Sequence, residues 1–137
     1  MTNGGTNFKS QILLITSGRG NLPPSIVLVN PNPPFNTTVL LDNFFGRQFN
    51  SLNDIKIHPT SKKIFFTDST LVVIKFINNI SEDYFRYGWL NHFRFLPAFP
   101  NQIYRFDPDT GSVRVVADQF IRSNGIAFSA DGTTAFM

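Results

Sequence analysis

Short runs in which apolar and polar residues alternate recur along this chain, and they predict strands rather than helices. The stretch 51–68 shows the pattern most clearly, because apolar residues stand at alternate positions on both sides of a turn at 58–61, namely Ile55, Ile57, Ile64 and Phe66. An apolar stripe at helical spacing longer than two turns occurs nowhere in the chain. The pattern therefore predicts an all-β protein.

The other predicted strands lie at 11–16, 25–30, 38–42, 102–107 and 112–118. The last two flank the segment 108–111, in which Pro108 fixes its own φ and Gly111 accepts a positive φ, so they are expected to form a hairpin. Residues 1–10 are polar and rich in glycine, and they are expected to form a flexible N-terminus.

The stretch that begins at Asn53 repeats at Asn124, and the two align without a gap over strand, turn and strand. Such an internal repeat is typical of a β-propeller, whose blades are four-stranded antiparallel sheets. The chain offers about nine strands, which is enough for about two blades, whereas a closed propeller has about 4–8 blades. The predicted fold is therefore a partial β-propeller.

Composition excludes several classes of function. The chain is 42% hydrophobic and 15% charged, as expected for a globular domain. Its net charge of +3 comes from scattered basic residues, with Lys62 and Lys63 as an adjacent pair, so a nucleic-acid partner is not expected. There are no cysteines, which excludes a disulfide framework and a thiolate nucleophile. The apolar run 12–15 is too short for a signal peptide or membrane span, so the default expectation is a cytoplasmic protein without a membrane partner.

Five segments together resemble the SMP-30/gluconolactonase family, most closely its fungal lactonase-like branch. They are FFGRQFNSLND at 44–54, FFTD at 65–68, YGW at 87–89, NQIYRFDP at 101–108 and SNGIAFS at 123–129. The resemblance assigns residues 11–137 to one domain. It implies a partial six-bladed β-propeller, with a divalent metal ion, most often Ca²⁺, in the central channel. It also implies hydrolysis of a small-molecule lactone or another ester.

One segment interrupts the resemblance. In the family pattern the residues that match Thr70 and Tyr87 follow one another directly, whereas here the 16 residues 71–86 stand between them. Without this insert the repeat spacing falls from 71 to 55 residues, which is closer to one blade. The insert is either a translated intron, which sequencing of the transcript would reveal, or a natural loop insertion.

The resemblance implies a metal site whose ligands are one Glu, two Asn and one Asp. Asn53 and Asn124 match the two Asn positions, while the chain has no clear match to the Glu and stops before the Asp. The ligand set is therefore expected to be incomplete in this chain, and its catalytic residues are unknown. Asp54 and Asp68 are expected to contact substrate or to orient a ligand. The alternative for each Asn is a turn residue that bonds nearby backbone.

Two classes of function remain open. The first is a metal-dependent lactonase or gluconolactonase-type hydrolase, incomplete in this chain. The second is a non-catalytic propeller fragment or binding module. A further possibility is a carbohydrate-binding role, in which the rings of the aromatic loop 89–99 stack on sugars; the alternative is that these rings cover a blade.

Overall fold

Two four-stranded antiparallel sheets contain most of the strand residues that the structure describes. The computed structural model describes residues 2–18, 21–69, 100–121 and 123–137, and within these ranges it contains strands and turns but no helix. The first sheet consists of β1 (Thr2–Phe8), β2 (Gln11–Thr16), β3 (Ser25–Val29) and β4 (Thr37–Leu41). The second consists of β7 (Leu52–Ile57), β8 (Ile64–Asp68), β9 (Gln102–Phe106) and β10 (Val113–Ala117). Two short hairpins complete the fold, β5 (Asn43–Phe44) with β6 (Arg47–Gln48), and β11 (Ala127–Phe128) with β12 (Ala135–Phe136).

The sheets are arranged as neighbouring blades of a propeller. In each sheet the strands lie side by side in chain order, as in the blades of a propeller. The first strands of the two blades, β1 and β7, lie against each other, which is the position of innermost strands around a central channel. The β11–β12 hairpin repeats the first two strands of a blade. The described residues therefore form two blades and the beginning of a third, as predicted.

The internal repeat is confirmed residue by residue. In the second blade Lys56 pairs with Phe65 and Ile57 pairs with Ile64. In the third blade the aligned residues pair in the same way, Ala127 with Phe136 and Phe128 with Ala135. The predicted hairpin between β9 and β10 is also present, and Gly111 has a φ of 72°.

Strand β1 was not predicted. Residues 1–10 were expected to form a loose terminus, but Thr2–Phe8 pairs with β2 from Thr2 opposite Thr16 to Phe8 opposite Gln11. The segment has no alternation of apolar residues, because its neighbours rather than its own side chains determine its conformation. The other predicted strands agree with the structure to within about one residue at each end.

The core joins the first two blades. Leu13, Ile15 and Ile26 of the first blade belong to the same buried cluster as Leu52, Ile55 and Phe66 of the second. An aromatic group lies within this cluster: Phe66 stacks on Tyr104 with ring centroids 5.2 Å apart, and Phe49 meets both rings edge to face.

The insert 71–86 and the aromatic loop 89–99 lie outside the described residues. The connection that contains them joins two neighbouring strands, because β8 and β9 pair over their whole length from Ile64 opposite Phe106 to Asp68 opposite Gln102. Among the described residues there is no helix long and apolar enough to cross a membrane.

His58 connects the second blade to the third. It is the first residue of the predicted turn 58–61, but its ring is half-buried and lies edge-on to Phe128 at a centroid distance of 4.9 Å. Its Nδ1 accepts a hydrogen bond from the backbone N–H of Ser61 at 3.1 Å, which leaves Nε2 to donate to the carbonyl oxygen of Gly132 at 2.9 Å. A residue of the predicted turn is therefore also a contact between blades.

Gly132→Ala is expected to lower the free energy of unfolding by about 2 kcal/mol, as measured by denaturant unfolding. Gly132 has a φ of 75°, and a Cβ on it would lie 2.8 Å from Cε1 of His58, so the histidine ring would have to move. Gly111→Ala is the matched control, because Gly111 has a φ of 72° but open space around the position of a Cβ. Equal losses in the two variants would contradict the close contact between Gly132 and His58.

Candidate functional site

The two predicted asparagines lie near the beginnings of two strands. Asn53 is the second residue of β7, and Asn124 lies shortly before β11. The pairing of β7 with β8 shifts register between Leu52 and Ile55, so Asn53 and Asp54 lie within a bulge. Asn53 is half-buried and Asn124 is exposed. Neither side-chain amide makes a hydrogen bond with another residue of the described ranges. The alternative in which each amide bonds nearby backbone is therefore not what the structure contains.

One hydroxyl group links the backbone beside these two asparagines. Oγ1 of Thr67 accepts a hydrogen bond from the backbone N–H of Asp54 at 3.0 Å and donates one to the carbonyl oxygen of Asn124 at 2.6 Å. Asp54, which follows Asn53, and Asn124 are thus both bonded through their backbones to Oγ1 of Thr67. The structure brings together the two strand starts that the sequence places 71 residues apart.

Asp54 lies at the meeting point of three strands. Its Oδ1 accepts hydrogen bonds from the backbone N–H of Ile55 at 2.8 Å and from Nζ of Lys56 at 2.9 Å, and its Oδ2 accepts one from the backbone N–H of Ile126 at 3.1 Å. Strand β1 approaches from the other side, where a Cβ on Gly4 would lie 2.8 Å from Oδ1. Both oxygens of this carboxylate are engaged, so it holds β7 to the third blade.

Asp68 is fully buried and binds the chain that leads into β7. Its Oδ2 accepts a hydrogen bond from the backbone N–H of Asn50 at 3.0 Å, and its Oδ1 accepts one from that of Ser51 at 2.8 Å. Its carbonyl oxygen accepts a hydrogen bond from the hydroxyl of Ser123 at 2.8 Å. Burial and the negative charge of Asp68 both raise the pKa of Tyr104. These contacts are structural, and a role of Asp68 towards substrate stays a prediction.

A divalent metal ion was expected at the asparagines, and the residues present fit part of such a site. Ca²⁺ takes about six to eight oxygen ligands, including carboxylates and amide carbonyls. The unengaged amides of Asn53 and Asn124 are suitable ligands, but the described ranges hold no group of three or more His, Cys, Asp or Glu that could bind a metal. The two amides therefore fit part of such a site, and the described ranges add no acidic cluster to them.

The adjacent lysines are occupied by contacts within the chain. Nζ of Lys62 donates to the carbonyl oxygen of Pro59, and Nζ of Lys63 lies 2.8 Å from Oδ1 of Asp107 and 3.3 Å from Oδ2 of Asp109. The hydrogen bond between Lys63 and Asp107 raises the pKa of the lysine and lowers that of the aspartate. Both lysines therefore make contacts within the chain, and Lys63 is paired with two carboxylates.

The sequence analysis missed Thr67 and Asn3. Asn3 lies in a register shift of β1 that corresponds to the one around Asn53, and its side chain donates to the hydroxyl of Ser17 at 3.0 Å and to the carbonyl oxygen of Leu52 at 3.3 Å. The Asn-Gly pair at 3–4, which recurs at 124–125, could have identified this position. The role of Thr67 leaves no such signal, because both of its partners are backbone atoms.

A cleft of about 380 Å³ lies between the β5–β6 hairpin and the β9–β10 turn. Its lining consists of Leu41, Asn43, Phe44, Phe45, Gly111, Ser112 and Val113. The four predicted site residues do not line it, so this cleft and the asparagine site are separate features.

Comparison with known proteins gives concordant results. A family model described as "SMP-30/Gluconolactonase/LRE-like region" matches residues 13–137. The lactonohydrolase oryL of Aspergillus oryzae is 29% identical over 140 aligned residues, which cover 97% of this chain and 28% of that protein.

Two solved structures share the fold. One is a structural-genomics target described as a "putative gluconolactonase", with a TM-score of 0.71 and 20% identity over 96% of this chain and 39% of that chain. The other is the gluconolactonase XC5397 of Xanthomonas campestris, with a TM-score of 0.70 and 23% identity over 98% of this chain and 38% of that chain. These neighbours are six-bladed β-propellers, so the prediction of a partial six-bladed propeller is confirmed. The chain spans less than two fifths of the length of each of these three proteins.

Proposed function

We propose that this chain, which belongs to the SMP-30/gluconolactonase/LRE-like family, forms part of a metal-dependent hydrolase of small lactones. The substrate class follows from the lactonohydrolase and gluconolactonase to which the chain is similar. The observation that carries the proposal is the pair of unengaged amides, Asn53 and Asn124, at neighbouring strand starts around the propeller channel.

The position of these amides suits ligand binding. Polar side chains at the inner strand ends of a propeller face a shared channel, so residues from different blades can contact one small molecule or ion. An amide that its own chain leaves unbonded is available to a ligand, whereas a turn residue would use it on nearby backbone. Asn53 and Asn124 are therefore proposed to bind the metal ion, or in the case of Asn53 also the substrate.

The chemistry divides between the ion and the chain. Ca²⁺, when bound, would polarise the carbonyl group of the lactone. Asn53 and Asn124 would supply neutral oxygen ligands, and carboxylates from outside the described residues would supply the negative charge. Asp54 would act indirectly, because its oxygens are bonded to Lys56 and to backbone N–H groups and it holds the two strand starts together. We assign the general base to none of the described residues.

A non-catalytic propeller module is the second candidate. It is favoured by the engagement of both oxygens of Asp54 and by the lack of an acidic cluster among the described residues. Such a module could still bind a lactone or a sugar in its channel. It would differ from the enzyme in having no turnover.

The proposal is tested by calorimetric titration of Ca²⁺ into the purified protein, followed by an assay of gluconolactone hydrolysis. Asn124→Ala is expected to weaken Ca²⁺ binding at least about tenfold, because it removes an oxygen ligand. Asn7→Ala is the matched control, since Asn7 is an exposed asparagine of β1, and it is expected to leave binding unchanged.

The outcomes separate the candidates. Binding that Asn124→Ala weakens, together with hydrolysis that a chelator abolishes, supports the hydrolase. Binding without hydrolysis favours the non-catalytic module. Hydrolysis that survives chelation would contradict the metal-dependent reaction.

A further inference from the structure

Thr67 makes two hydrogen bonds that neither the sequence around it nor its position in β8 indicates. It lies near the end of β8, next to the buried Asp68, and its side chain has no exposed surface. A threonine hydroxyl can donate one hydrogen bond while it accepts another. Thr67 uses both capacities, accepting from Asp54 and donating to Asn124.

Both partners are backbone groups that regular pairing leaves unsatisfied. The register shift between Leu52 and Ile55 removes the N–H of Asp54 from the regular ladder. Asn124 precedes β11, which begins at Ala127, so its carbonyl group lies outside the strand. A backbone group that is withdrawn from water and has no partner destabilises the fold, and the Thr67 hydroxyl satisfies both of these part-buried groups with one atom.

Other hydrogen bonds also hold the segment 123–126 to the second blade, but none of them joins the backbones beside both asparagines through a single atom. The hydroxyl of Ser123 binds the carbonyl oxygen of Asp68, and the N–H of Ile126 binds Asp54. These bonds anchor the ends of the segment 123–126. Thr67 alone among the described residues bonds to the residue after Asn53 and to Asn124 itself through one atom.

We propose that Thr67 is a positioning residue that sets the separation of the Asn53 and Asn124 amides. This inference rests on the proposed function of the two asparagines in ligand binding. The hydroxyl of Thr67 never needs to contact the ligand, because it acts on the backbone from which both amides project. Residues that orient metal ligands typically change metal affinity by about 10–100-fold when they are replaced.

Three variants test the role. Thr67→Val keeps the shape of the side chain but removes both hydrogen bonds, and Thr67→Ser keeps the hydroxyl but removes the methyl group. Thr16→Val is the matched control, because Thr16 ends β2 in the first blade and its hydroxyl bonds to Ser25 of the neighbouring strand.

The first measurement is the NMR spectrum of the side-chain amides, in which Asn53→Ala and Asn124→Ala identify the two pairs of signals. Thr67→Val is expected to shift both pairs, while Thr67→Ser and Thr16→Val leave them in place. The proposal is wrong if either pair of amide signals stays in place in Thr67→Val. It is also wrong if Thr67→Ser shifts both pairs as strongly as Thr67→Val does. This measurement requires no bound metal.

The second measurement is Ca²⁺ affinity by calorimetry, for which Thr67→Val is expected to lose about 10–100-fold and Thr67→Ser to stay close to the wild type. A wild-type protein that binds no Ca²⁺ would contradict the proposed function alone, because the NMR result stands independently of it. Wild-type affinity in Thr67→Val would contradict the positioning role.

If Thr67→Val does not fold, Thr67→Cys takes its place, because a thiol of similar size is a weaker donor and acceptor. The proposal then requires that the cysteine variant shift both pairs of amide signals and that the serine variant shift neither.

Discussion

Replacing Phe66 by alanine is expected to lower the free energy of unfolding by about 3–5 kcal/mol. The ring of Phe66 is fully buried, stacks on Tyr104 at an interplanar angle of 9° and meets Phe49 edge to face at a centroid distance of 5.4 Å. Its removal would leave a cavity at the centre of the core that joins the two complete blades, and it would also remove the contacts between the rings. Denaturant unfolding followed by circular dichroism measures the loss.

Two controls isolate the effect of packing. Phe66→Leu refills much of the cavity and is expected to lose less than half as much stability. Phe45→Ala removes a ring that is 89% exposed, so it is expected to change stability by less than about 0.5 kcal/mol. Similar losses in Phe66→Ala and Phe45→Ala would show that Phe66 does not lie at the centre of the core.

Replacing Asp68 by alanine is expected to lower the free energy of unfolding by about 3 kcal/mol. The change would leave the backbone N–H groups of Asn50 and Ser51 without their carboxylate acceptor, and each such buried group costs about 1–3 kcal/mol. The pKa of Tyr104 should fall at the same time, because the charge of Asp68 contributes to raising it. Burial, the larger cause, would still hold that pKa above its usual value.

Asp68→Asn distinguishes the hydrogen bonds from the charge. Asparagine keeps one acceptor oxygen in the same place, so this variant should retain part of the stability that Asp68→Ala loses. Asp109→Ala removes an exposed carboxylate, and it should have little effect because its contact with Lys63 is at the surface. If Asp68→Ala is as stable as Asp109→Ala, the two buried hydrogen bonds do not stabilise the entry into β7.

Both variants also bear on the candidate site. Phe66 and Asp68 flank Thr67 on β8, so the residue that we propose to position the two asparagines lies between two of the most buried side chains of the second blade. Rigid support of this kind is what a binding site needs when its ligands come from different blades. A moderately destabilised variant at 66 or 68 that remains folded should therefore also bind a channel ligand less tightly.

Much of the fold could be predicted from the sequence because its signals are local. Alternation at Ile55, Ile57, Ile64 and Phe66 indicated the strands, and Pro108 and Gly111 indicated the hairpin turn. The alignment of Asn53 with Asn124 predicted equivalent strand pairs, and the register of β7–β8 and β11–β12 confirms them. The family resemblance added the six-bladed propeller, which the solved neighbours confirm, and the lactonase class, which stays a proposal for this chain.

The remaining features depend on contacts between distant parts of the chain. Strand β1 has no apolar alternation, and it forms because β2 offers a pairing edge and β7 lies against it. His58 has an ordinary turn sequence, yet its ring is held by Phe128 and Gly132, which lie at least 70 residues further along the chain. Local patterns cannot report contacts of this kind.

By itself, the sequence of this protein determined the strands, their turns and the repeat that aligns Asn53 with Asn124. Apolar alternation and the turn preferences of Pro and Gly are local signals, and the repeat is visible when the chain is compared with itself. Only the tertiary structure decided that a buried threonine links the backbones beside the two asparagines, which lie near the first strands of neighbouring blades. It also decided that Asp54 and Asp68 use their carboxylates on backbone N–H groups. The physical reason is that hydrogen bonds to the backbone depend on where the chain passes and not on which side chain it carries there.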